Sequence, residues 1–146
     1  MHRAESVVSH IYYGFDLKNL FIRIDSNRDL NDQRIKELTF CIHFLKPVTS
    51  RIEIRLDPER MGVTAAMFER QGGEAGESSV NISSIAAREI IELAAPFELI
   101  RAMPKDEVNL FVTVRRGEIE LEKWPYRGYI SFNVPTEDFE AIMWHV

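Results

Sequence analysis

The chain has a single cysteine, Cys41, among its 146 residues, so no disulfide can form within it. That excludes the stapled scaffolds of small secreted domains, and a lone thiol fits a reducing compartment, with the cytoplasm as the expected location. Long apolar runs are missing as well. None approaches the ~18 residues that a membrane-spanning helix requires, and the opening stretch MHRAESVVSH is too polar for a secretory signal. Basic excess is also absent. The 18 Lys and Arg residues against 23 Asp and Glu leave a net charge of −5, which argues against nucleic acid or an anionic membrane as the main partner.

The patterns that usually carry chemistry are equally scarce. There is no Gly-rich phosphate loop and no serine elbow; Gly72-Gly73 is followed by Glu74, the wrong charge for phosphate. His2, His10, His43 and His145 are scattered without the spacing of a helical metal pair. His43 alternates with Cys41, but two ligands do not make a zinc site, and Cys41 reads as an inert strand residue. Residues 25–29 (Asp-Ser-Asn-Arg-Asp) open like a calcium loop. The sixth and twelfth positions are then Leu30 and Lys36, where glycine and a carboxylate are needed. Glu118, Glu120 and Glu122 share one strand face at about 6.5–7 Å spacing, a distance compatible with paired carboxylates. Nothing beside them would raise one pKa into the range of a general acid, so they read as a solvated edge. The residues therefore supply no convincing catalytic constellation, no cofactor site and no EF-hand, while a calcium site of another kind at a sandwich edge stays open.

Short alternating segments make up what is there. In residues 11–25, IYYGFDLKNLFIRID, two apolar-rich runs flank the polar turn Asp16-Leu17-Lys18-Asn19, and Leu20, Ile22 and Ile24 alternate with Phe21, Arg23 and Asp25. A period of two sends one set of side chains into a core and the other outward. The same pattern predicts strands over 9–16, 19–26, 37–45, 49–56, 63–70, 80–85, 87–95, 108–116, 118–123 and 128–134. Residues 71–79, rich in glycine, read as a hairpin tip. A single helical turn is expected over 96–103, closed by Pro104, and a short helix over 137–143 behind Thr136 as cap. Residues 1–8 read as a linker or lead-in, and 9–146 as one domain. The fold class is all-β: an antiparallel β-sandwich with one short internal helical turn and a short C-terminal helix.

Aromatic residues give the clearest functional hint. Trp124-Pro125-Tyr126-Arg127-Gly128-Tyr129 places three rings in six residues between two strands. Tyr12 lies on the strand face opposite Ile11 and Tyr13. Such rings can act as platforms for the apolar face of a sugar, each worth on the order of 1 kcal/mol if it covers about 40–50 Å². Tryptophan or tyrosine beside a proline can equally cap a sandwich end, ring buried and polar tip wet. Trp124, Tyr126, Tyr129 and Tyr12 are the candidate carbohydrate-binding residues, and Trp144 reads as a packing anchor.

Three segments carry a family resemblance: MHRAESVVSHIYYGFDLKNLFIRID, IIELAAPFELIRAMPKDEVNLFVTV and WPYRGYISFNVPTEDFEAIMWHV. Together they resemble the C-terminal region of family 57 glycoside hydrolases, the α-glucan-acting amylase and amylopullulanase group. The strand, Pro-Phe, short helix and following strand also resemble family 9 carbohydrate-binding modules and DOMON-type domains. The resemblance implies a non-catalytic accessory β-sandwich, partnered by a catalytic (β/α)7 barrel of the same parent polypeptide that this chain does not itself resemble. It implies either weak α-glucan binding or a structural role in packing on and stabilising that barrel. It transfers no sugar-binding residue, and the four aromatic candidates rest on the reading of the residues alone.

Overall fold

A computed structural model describes residues 6–27, 37–57, 62–71, 74–79, 82–83 and 90–137. Eleven strands run in chain order: β1 (Val8–Phe15), β2 (Asn19–Ser26), β3 (Leu38–Lys46), β4 (Ser50–Asp57), β5 (Gly62–Gln71), β6 (Glu74–Ser79), β7 (Ile82–Ser83), β8 (Ile90–Pro96), β9 (Glu107–Arg116), β10 (Ile119–Trp124) and β11 (Ile130–Asn133). They form two sheets in which every pairing is antiparallel. The smaller, sheet A, has the order β1-β2-β8-β7. The larger, sheet B, runs β10-β9-β3-β4-β5-β6, with β11 also on β9. The fold is the all-β sandwich that the alternation predicts.

The inward positions follow the sequence period. Leu20, Ile22 and Ile24 of β2 and Ile91, Leu93 and Ala95 of β8 meet Phe40, Ile42 and Phe44 of β3 and Val108, Leu110, Val112 and Val114 of β9 in one buried cluster. Burying each such large side chain stabilises the fold by roughly 1.5–3 kcal/mol. Phe132 of β11 closes one end of the core, stacked on Phe15 at 4.9 Å and on Tyr13 at 5.8 Å between ring centroids.

Three local expectations change. Residues 74–79 form a strand rather than a hairpin tip, because Gln71↔Glu74 through Ala66↔Ser79 pair with β5 and the ladder satisfies the backbone despite poor strand formers. The lead-in over 1–8 ends sooner, since Val8 is fully buried and opens β1. Residues 97–101 close in hydrogen-bonded turns and not in a helix. Leu99 N–H donates to the Pro96 carbonyl and Arg101 N–H to that of Glu98, with Ala102 N–H reaching back to Phe97. Arg101 takes a φ of 57°, which ends the turn. Of the strand expected over 80–85, the described residues include Ile82–Ser83 as β7; the rest lies outside the described residues, as do the helix over 137–143 beyond Glu137, Trp144 and the loop positions Leu30 and Lys36.

Candidate functional site

β10 and β11 lie on the same edge of β9 and run in the same direction. Trp124 pairs with Val112 and Ile130 with Leu110, only two positions apart on β9. The five residues 125–129 must therefore leave the ladder between them, and they project from the sheet edge as a loop. That excursion exposes Tyr126 (71%) and Tyr129 (50%). Gly128 returns the chain with a φ of 77°, a conformation that L side chains rarely adopt. The Lys123 ammonium ties the loop back, donating to the Gly128 carbonyl at 3.0 Å and to that of Pro125 at 3.4 Å.

Trp124 has a different place. Its ring packs against the core and is partly buried, and its indole N–H donates to Glu122 Oε1 at 3.1 Å. Glu122 is itself turned inward by a register shift between Glu120 and Glu122. Its carboxylate accepts the N–H of Val7 at 2.6 Å and of Val8 at 3.2 Å. One side chain thus ties the edge of sheet B to the start of the edge strand of sheet A. The row of three outward glutamates expected from alternation is broken: Glu118 and Glu120 face solvent, and Glu122 is a structural acceptor.

Tyr12 lies on the outer face of sheet A, away from Ile11 and Tyr13, which pack on the core. Arg23, its cross-strand partner, places its guanidinium 5.3 Å from the Tyr12 ring centroid. The same guanidinium binds Asp25 through two hydrogen bonds of 2.7 and 3.2 Å. Arg23 therefore occupies one side of the ring that would serve as a platform. Tyr12 and the β10–β11 loop sit on different sheets, so the four aromatic candidates do not form one array.

The outer face of sheet B carries features that sequence alternation alone misses. Glu53 sits on this face yet is only 6% exposed. Arg115 donates to it from across β3, and Arg51 and Arg55 flank it at 3.7 and 4.0 Å. Cys41 pairs with both Glu53 and Thr113 in register and is fully buried beneath these groups. Burial pushes its thiol pKa up, with Glu53 acting in the same direction, so the thiolate is suppressed. His43 stacks on Phe111 at 4.5 Å and shares a 2.8 Å hydrogen bond with Thr113 Oγ1. Burial lowers its pKa, and Arg115 and Arg51 lower it further, so His43 is neutral. Asn109 Oδ1 and Arg115 Nε are buried without a hydrogen-bond partner among the described residues.

Among the described residues, no group of three metal-ligating side chains comes together, and no helix is long and apolar enough to cross a membrane. At the calcium-like stretch, Asp25 is engaged by Arg23. No protein-family model, no curated protein and no solved structure matches the chain.

Proposed function

We propose that the chain is a non-catalytic β-sandwich module of an α-glucan-acting glycoside hydrolase, one that binds α-glucan weakly through Tyr126 and Tyr129 and acts in the cytoplasm beside the catalytic domain of the same polypeptide. The observation that carries the reading is the projection of residues 125–129 from a paired edge, which holds two exposed aromatic rings on a short tethered loop. A hydroxyl-rich, uncharged ligand suits it, because each ring offers an apolar face and a phenolic tip within one side chain. Two rings at about 1 kcal/mol each, with a few polar contacts, place the affinity in the millimolar range, where the total is only about −4 kcal/mol.

The test is a titration with maltoheptaose, following tryptophan fluorescence in a Trp144→Phe background so that Trp124 at the root of the loop gives the signal. That background should saturate, Tyr126→Ala and Tyr129→Ala should each weaken binding about fivefold, and Tyr12→Ala should leave it unchanged. No saturable change up to ten times the expected millimolar constant (~10 mM), with the fold intact, sinks the reading.

A second reading is favoured by one observation of its own. Ile119 and Leu121 on the edge strand β10 are 67% and 44% exposed. In a domain that packs on and stabilises a catalytic barrel without binding sugar, these side chains would be covered. Ile119→Ser would then weaken association with the barrel and leave any glucan affinity untouched.

A further inference from the structure

Lys123 stands on the outer face of sheet B, in register with Thr113. Its ammonium lies 5.0 Å from the ring centroid of Phe111 while donating to the carbonyls of Pro125 and Gly128. Phe111 is fixed from the strand on the other side: His43 of β3 stacks on it with an interplanar angle of 9°, and the imidazole is pinned by Thr113. The result is a column running His43, Phe111, Lys123 and then the loop carbonyls. The two carbonyls bracket Tyr126 and Arg127, and the second immediately precedes Tyr129. A loop of five residues anchored only at its ends would sample many conformations, and each would cost affinity when a ligand selected one. A cation held between a ring face and two carbonyls removes that freedom through contacts made within the sheet.

We propose that Lys123 is a positioning residue for the tyrosine loop: it touches no ligand, and it holds Tyr126 and Tyr129 in the arrangement that receives one. The affinity half of this proposal rests on the glucan-binding reading; the ordering half does not. Lys123→Met keeps the apolar stem and removes the charged donor, whereas Lys123→Arg keeps a cation that can stack on Phe111 and donate.

Two measurements are made on the whole chain, with melting temperature checked in parallel. The first is the rate of trypsin cleavage after Arg127, which reports local opening of the loop. The second is the maltoheptaose affinity. Lys123→Met should be cleaved about fivefold faster and bind about fivefold more weakly, each corresponding to the loss of about 1 kcal/mol of cation–ring and hydrogen-bond energy. Lys123→Arg should recover much of both. Phe111→Leu, which leaves Lys123 in place but removes the ring, should reproduce the faster cleavage. Wild-type cleavage rates in Lys123→Met and Phe111→Leu overturn the clamp. Should wild-type chain bind no maltoheptaose while Lys123→Met still opens the loop, the clamp stands and the sugar reading falls.

Discussion

Glu122 accepts three N–H groups from two sheets, and that makes it the side chain whose loss should be felt furthest from its own strand. Glu122→Ala strands the Val7, Val8 and Trp124 donors together. A charged acceptor with several donors is worth about 2 kcal/mol, and chemical denaturation should show a loss of that order. Glu122→Gln, which keeps one carbonyl oxygen, should lose about half as much. His43 gives a second outcome at this scale. Its folded pKa lies below its ordinary value of 6.5, so the unfolded chain binds more protons once the pH falls toward that value. Stability contributed by neutral His43 is then present above it and is lost as the pH falls. The melting temperature should drop between pH 7.5 and pH 5.5, and the drop should be smaller in His43→Gln. An equal drop in both would contradict the assignment. Neither role was legible in the sequence. Alternation placed Glu122 outward with Glu118 and Glu120, because a one-residue register shift leaves no mark in composition. Glu53 poses a different difficulty: a period of two assigns it to the outer face, and only the neighbouring strands reveal that Arg51, Arg55 and Arg115 close over it.

At the scale of the element, the β9–β10 hairpin was readable and its sequel was not. Arg116-Gly117 marks the turn, and Gly117 takes a φ of 61° at the first of the two loop positions between Arg116 and Ile119, where a two-residue turn of this kind requires glycine. An added Cβ at Gly117 would meet no atom within 4 Å, so the cost of Gly117→Ala is backbone strain alone, about 1 kcal/mol. A measured loss well above that would mean the turn does more than connect two strands. The loop after β10 was visible as a cluster of rings, but not as an interruption of an edge strand that resumes at Ile130. That depends on both flanking segments choosing the same side of β9. β6 shows the opposite failure. Glu74–Ser79 has the composition of a turn, and it pairs as a strand because β5 offers it a ladder.

For the whole molecule, the strong alternation of β2, β3, β8 and β9 pointed to two packed antiparallel sheets, since strands with one apolar face bury it when two such sheets pack face to face. Strand order was beyond reach: β8 joins β2, and β9 joins β3, across long stretches of chain. The cluster of rings was legible in the sequence, but not which of them the fold exposes. Tyr126 and Tyr129 are exposed on one loop, while Trp124 anchors the core and Tyr12 lies under Arg23. The tyrosine loop is the proposed place at which this sandwich receives α-glucan. Backbone amide shifts recorded during a maltoheptaose titration test it most directly. Saturable shifts concentrated at residues 123–131 and at Phe111 are expected, with the outer face of sheet A around Tyr12 unchanged. Shifts confined to another surface, or none in the millimolar range, would contradict it.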